Sequence, residues 1–254
     1  MTAATGTAVP EASRHASAAA DVLIRLADDD LLTGHVLTSV AGWGPELEIN
    51  IALSSMGQDE IGHARRLYAL VTADPDEAER LVYERPAADF RAAPLARTYP
   101  ARWELLLARQ FLYETADAAR AAVLVRTPHA DIGALMSEMA HEESYHLDFW
   151  TTWLRTTTTR SVAARDRVQR AFGLMWPLAL ASFLPEFPDA AAEALGLPGG
   201  ALAQAQQEWI SATCAACAEL GIALGGGEPD PGLDRLDAML DEMRYVYRTA
   251  PGRW

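Results

Sequence analysis

Two stretches decide the reading of this chain: Asp59-Glu60-Ile61-Gly62-His63 and Glu142-Glu143-Ser144-Tyr145-His146. Each holds a Glu-x-x-His. On an α-helix, residues i and i+3 share a face, so each stretch can offer a carboxylate and an imidazole to one metal ion. A single Glu-x-x-His is common on any polar helix face. Two of them on separate long helices carry more weight. A bundle that holds a pair of metal ions takes one such motif from each of two helices and one carboxylate from each of the other two.

The flanking sequence supplies the helices. Ala and Leu are abundant, and apolar residues recur at three- and four-residue spacing. No run alternates apolar and polar residues as a half-buried strand would. Gly and Pro punctuate the pattern. Helices are expected over roughly 16–41, ending at Gly42-Trp43-Gly44-Pro45, and roughly 46–73, ending before Asp74-Pro75. Others are expected over roughly 76–83, 101–126 (stopping at Thr127-Pro128), 129–156, 161–183, 199–223 and 233–248. Pro86, Pro94 and Pro100 make 85–100 irregular. Residues 1–15 read as a disordered leader and 16–254 as one helical domain. The predicted fold class is all-α: a four-helix bundle with a helical C-terminal extension.

Hairpin geometry says where the two remaining carboxylates lie. In an antiparallel hairpin, facing ligands stand equally far from the turn. Asp30 precedes Pro45 by the same stretch of sequence by which Glu60 follows it. Glu143 lies as far beyond Pro128 as Glu60 lies beyond Pro45, and its mirror position, 113, neighbours Glu114. At about 1.5 Å per residue both ligand sets sit about 22 Å from their turns, so the hairpins match in depth. The order also repeats internally, since the spacing from Asp30 to Glu114 almost equals that from Glu60 to Glu143. The candidate metal ligands are therefore Asp30, Glu60, His63, Glu114, Glu143 and His146, with Asp28 and Asp29 as rivals to Asp30. Four carboxylates and two imidazoles are hard donors that suit two iron ions, with manganese as the substitute.

Asp59 and Glu142, directly before each motif glutamate, and Asp117, one turn beyond Glu114, are candidates to accept the second N–H of the imidazoles. Gly34, Gly57, Met56, Phe111, Met139, Phe149 and Trp150 fall near the site and outline an expected apolar pocket. Cys214-Ala-Ala-Cys217 is a lone pair inside a helical pattern and reads as small buried residues. His141 points roughly 200° from Glu143 around the helix, given about 100° per residue, and is set aside as a ligand.

Composition narrows the function. The 254 residues carry a net charge of −14, which argues against a nucleic-acid or anionic-membrane binder and leaves room for a basic partner. All 21 basic residues are arginine, so lysine Schiff-base and P-loop chemistry are excluded. The longest uncharged stretch, Ala171 to Pro185, is shorter than the ~20 residues a membrane span needs. Two cysteines make no disulfide framework and no signal peptide is evident, so a cytoplasmic location is expected.

Leu26-Ala-Asp-Asp, Pro45-Glu-Leu-Glu-Ile-Asn50, Met239-Leu-Asp-Glu-Met-Arg-Tyr and Pro251-Gly-Arg-Trp254 resemble the ferritin-like subunits of phenylacetyl-CoA epoxidases, PaaA and PaaC. The body is most similar to PaaC, the structural partner, which typically has lost most metal ligands. The two Glu-x-x-His motifs resemble those of the catalytic PaaA instead, with Asp30 and Glu114 at its other carboxylate positions. The resemblance implies a ferritin-like di-iron monooxygenase, an oxidoreductase using O2 on a small aromatic, acyl or amine substrate by hydroxylation, epoxidation or N-oxidation. No flavin, nicotinamide or iron–sulfur motif is present, so electrons are expected from a separate reductase. The expected assembly is a homodimer or a heteromer with a second ferritin-like subunit. The alternative is a non-catalytic PaaC-like structural subunit.

Overall fold

The protein is described by a computed structural model over residues 11–182, 189–225 and 228–249. Among these residues nine α-helices follow one another: α1 (Glu11–Ser39), α2 (Leu47–Ala69), α3 (Pro75–Tyr83), α4 (Trp103–Leu124), α5 (Ala130–Arg160), α6 (Val162–Ser182), α7 (Asp189–Ala194), α8 (Ala201–Glu219) and α9 (Leu236–Thr249). No strand occurs among the described residues, in keeping with the absence of period-two patterning. The expected leader lies outside the described residues for 1–10, and 11–15 already belong to α1. The short α7 packs against α1 and has no counterpart among the helices expected from the sequence.

The helix ends follow their local chemistry. Asn50 Oδ1 accepts from the backbone N–H of Gly42 at 2.9 Å and of Gly44 at 2.8 Å, which closes the α1–α2 turn. Gly42 takes a φ of 111°, open to glycine at no steric cost. Asp74 caps α3 by accepting from Glu77 N at 2.8 Å, and Pro75 occupies the first turn, where its missing N–H costs nothing.

Two helical hairpins, α1–α2 and α4–α5, make the bundle, with α6 and α8 packed against α4. α4 is the central element: residues from nearly every face of it are buried. Helix α9 docks on α3, where the Tyr83 and Tyr247 rings stack 4.7 Å apart, and Arg244 donates to the carbonyl of Arg85. No described helix is long and apolar enough to cross a membrane.

Gly34 and Gly57 do not shape a pocket, as the sequence suggests; they let α1 and α2 touch. A Cβ on Gly34 would stand 2.8 Å from the Gly57 carbonyl oxygen and 2.8 Å from Ile61 Cγ1, and one on Gly57 would stand 2.7 Å from Thr38 Cγ2. Because backbone lies on one side of the contact, the helices must separate to admit a methyl group. Gly34→Ala is therefore expected to destabilise the chain by about 1–3 kcal/mol, as overpacked cores do. A urea unfolding midpoint unchanged from wild type would contradict that close contact.

Candidate metal centre

Three consecutive aspartates on α1 point about 100° apart and so meet different surroundings. Asp28 accepts from the Tyr68 hydroxyl, the Arg85 guanidinium and Arg91 N. Asp29 accepts from Ala93 N at 2.6 Å and pairs with Arg120 at 2.9 Å. Both thereby tie down the irregular 85–98 stretch, whose buried backbone needs side-chain partners. Asp30 turns to the bundle interior, where its Oδ1 accepts from the Tyr113 hydroxyl at 2.7 Å.

The six candidate ligands come from all four bundle helices and are all buried. They converge in two overlapping groups: Asp30, Glu60 and His63, and Glu60, Glu114, Glu143 and His146. In each group one ligand atom per residue lies within 4.8 Å of the others. Glu60 belongs to both. The imidazoles present Nδ1 inward: His63 Nδ1 is 3.0 Å from Glu143 Oε1, and His146 Nδ1 is 3.2 Å from Glu143 Oε2. Their outward nitrogens meet carboxylates from the opposite helix, His63 Nε2 at 2.6 Å from Glu142 and His146 Nε2 at 3.3 Å from Asp59. A neutral imidazole that donates its N–H on that side turns an Nδ1 lone pair toward the cluster, whereas a protonated one donates from Nδ1 to Glu143 instead.

Asp59 and Glu142 are thus the imidazole partners that the sequence suggests, each acting across the bundle. Asp117 is not among those partners by hydrogen bond; it accepts from Arg120 at 2.7 Å. Tyr113, Gln110, Arg109 and Arg120 also surround the site, and the motifs alone do not point to them. Their signal is a set of polar residues at three- and four-residue spacing in otherwise apolar α4. Gln110 reaches Glu114 Oε1 at 3.4 Å.

Electrostatics follow from burial and crowding. Burial, then the carboxylates of Glu143, Glu114 and Asp30, hold the Glu60 carboxyl well above its ordinary range. Burial and Asp117 do the same for Asp30, and burial and Glu143 for Glu114. Glu143 goes the other way: although burial raises it, hydrogen bonds from His146 and His63 hold it below the usual range. His63 rises to about 9: burial lowers it, but Glu143, Asp30 and Glu142 outweigh that effect.

These residues fit a pair of cations. Both oxygens of Glu60, Asp30 Oδ2 and Glu114 Oε2 are buried and accept no hydrogen bond, a costly arrangement unless a cation fills it. Four carboxylates against two divalent ions would balance in charge, and the oxygen-rich donor set suits iron or manganese.

Beside the cluster, a cavity of about 300 Å³ opens between α2 and α5. Ala52, Met56 and Phe149 form its apolar wall; Asp59, Glu142 and His146 form its polar one. Of the other expected pocket residues, Phe111 packs on Phe172 and Trp150 on Phe149, both as core. A larger cleft of about 560 Å³ between α2 and α3 has none of the six candidate ligands on its wall. Cys217 is buried, Cys214 half-buried, and both are free; burial and its neighbour push the Cys217 thiol up to about 12, which keeps it in the thiol form. His141 is exposed and packs edge-on to Tyr145.

A four-helix bundle gathering two Glu-x-x-His motifs and two lone carboxylates defines the ferritin-like class of fold, and comparison with known proteins agrees. The chain belongs to the phenylacetic acid catabolic protein family (PaaA/PaaC), whose model matches residues 1–254. It is 25% identical over 241 residues to the C subunit of 1,2-phenylacetyl-CoA epoxidase of Escherichia coli strain K12, covering 91% of this chain and 96% of that one. Among solved structures it resembles Protein 19 with aldehyde deformylating oxidase activity from Synechococcus. That match has a TM-score of 0.56 at 17% identity, over 92% of this chain and 100% of the other, and shows the shared fold.

The crowded carboxylates predict a trade between stability and metal uptake. A group whose folded pKa is raised supports the fold below its unfolded value and loses that support as pH rises. Glu60→Gln, whose amide N–H groups meet neighbouring carboxylates, is expected to raise the melting temperature of the metal-free chain at pH 8 by about 3–6 °C. The gain should shrink as pH falls toward 5. A calorimetric melting temperature lower than wild type at pH 8 would contradict the electrostatic account.

Proposed function

We propose that Asp30, Glu60, His63, Glu114, Glu143 and His146 hold two iron ions, with manganese as the substitute, and that the chain is a non-haem di-iron oxygenase. The observation that carries this reading is the set of buried carboxylate oxygens that accept no hydrogen bond, gathered from three helices beside two buried imidazoles. Iron held by these residues would supply electrons to O2 for hydroxylation, epoxidation or N-oxidation of an organic substrate, with a separate reductase to restore them.

The chain's own residues divide the remaining work. Glu60 belongs to both ligand groups and would be available to both ions. Asp59 and Glu142 hold the imidazoles in orientation. The cavity between α2 and α5 takes the apolar part of a small aromatic, acyl or amine substrate against Met56 and Phe149, beside His146. The net charge of −14 favours a basic reductase or partner at the surface. The relative in Escherichia coli is one subunit of an epoxidase, which supports a heteromer with a second ferritin-like subunit.

A second reading has its own support. The similarity to the epoxidase's C subunit favours a structural role, in which the chain stabilises a catalytic partner and keeps only a vestigial site that holds no iron. Iron analysis of the chain purified alone separates the two. The oxygenase reading expects about two iron ions per chain. It expects Glu143→Ala to lose them while circular dichroism shows helical content retained. A wild-type chain that stays iron-free, yet binds a PaaA-like subunit tightly, would leave the structural role.

The cavity offers an independent check. Ala52→Trp is expected to fill much of it, so iron content should stay near wild type while substrate-dependent O2 consumption falls at least about tenfold, a loss of about 1.4 kcal/mol of transition-state stabilisation. Unchanged O2 consumption would place the substrate elsewhere.

A further inference from the structure

Helix α4 brings more to the centre than Glu114. Tyr113, the residue before it, is buried and donates its hydroxyl to Asp30 Oδ1 at 2.7 Å, across from α4 to α1. The other oxygen of that carboxylate, Oδ2, is buried and accepts no hydrogen bond. Asp30 joins Glu60 and His63, but it is absent from the group formed by Glu60, Glu114, Glu143 and His146. A carboxylate turns broadly about its last torsion, and with both oxygens free it can bind one ion, chelate it or bridge two. A phenol seated on one oxygen leaves the other alone to face a cation.

The phenol is itself held in place. The guanidinium carbons of Arg109 and Arg120 stand 5.9 and 5.8 Å from its ring centroid. Arg120 is fixed by Asp29 at 2.9 Å and Asp117 at 2.7 Å. Arg109 is fixed by the carbonyls of Thr98 at 3.2 Å and Ala96 at 2.9 Å. The hydroxyl therefore cannot swing away without disturbing buried charge pairs.

We infer that Tyr113 is a positioning residue that commits Asp30 to one of the two metal sites, by holding Oδ1 and presenting Oδ2 alone. This rests on the di-metal reading above. It assigns the phenol a task that none of the six ligands performs: keeping Asp30 from reaching the second site as well.

Anaerobic titration with Co(II) alone tests it, followed by visible absorbance and calorimetry on the full chain. Wild type is expected to show two binding steps. In Tyr113→Phe one step should weaken about 10- to 100-fold, the usual effect of losing an outer partner of a ligand, while the other stays where it was. Asp30→Asn keeps an acceptor for the phenol and removes the cation-facing carboxylate oxygen, so it should weaken the same step. Adding Tyr113→Phe to Asp30→Asn should then change nothing more, because the phenol acts only through that carboxylate.

A Tyr113→Phe isotherm that superimposes on wild type overturns the inference. So does equal weakening of both steps, which a merely structural role would give. If Tyr113→Phe does not fold, Asp30→Asn alone still decides, since loss at both steps overturns the one-site commitment and loss at one upholds it. A wild-type chain that takes up no Co(II) overturns the metal reading itself, and this inference with it.

Discussion

The structure depends on keeping four carboxylates close together inside a helical bundle. Asp30, Glu60, Glu114 and Glu143 are buried, and three of them have carboxyls pushed well above their ordinary range. Only Glu143, clasped by His63 and His146, is held below it. Such an arrangement opposes folding. It is sustained because the groups sit near the middle of long helices whose apolar faces are packed on both sides. Leu26, Leu32 and Val36 on α1, Leu53 and Leu67 on α2, and Leu107 and Leu112 on α4 are buried on the helices that carry the ligands. The apolar core holds the helices at fixed distance and rotation; the acids cannot relax apart without unpacking it.

Around that centre, polar side chains act as ties between helices. The aspartates of α1 show how one helical turn serves several neighbours: Asp28 holds the 85–91 segment, Asp29 holds Ala93 and Arg120, and Asp30 meets Tyr113. Arg109 binds the carbonyls of Ala96 and Thr98 from the other side. Much of an irregular stretch that would ordinarily lie on the surface, including Phe90, Ala92, Ala93, Leu95 and Ala96, is thereby buried. The cross-pairing of Asp59 with His146 and Glu142 with His63 does similar work, because each imidazole is oriented by the helix that does not carry it.

The helices, their order and the convergence of the six candidate ligands were legible in the sequence. Apolar periodicity and Pro or Gly at the turns bounded α2 to α6, α8 and α9 to within a few residues at most ends. Equal distance from the turn brought Asp30 opposite Glu60 and came within one residue of setting Glu114 opposite Glu143. The tasks of Gly34 and Gly57 were not legible, because a small residue on a helix face serves a pocket and a close helix contact equally well. The choice of Asp30 over Asp28 and Asp29 rested on hairpin register alone, which kept the other two as rivals. A small error in hairpin register shifts a side chain by about 100–200° around the helix.

By itself the sequence determined which residues share a helix face and how deep each lies in its hairpin, since both follow from the rise and period of the α-helix. Tertiary structure alone decided which partner each polar group meets. Asp117 pairs with Arg120 instead of an imidazole, and Tyr113 with Asp30. The physical reason is that contacts between helices depend on their relative rotation and offset. Those are set by packing the whole apolar core at once, and no local pattern encodes them.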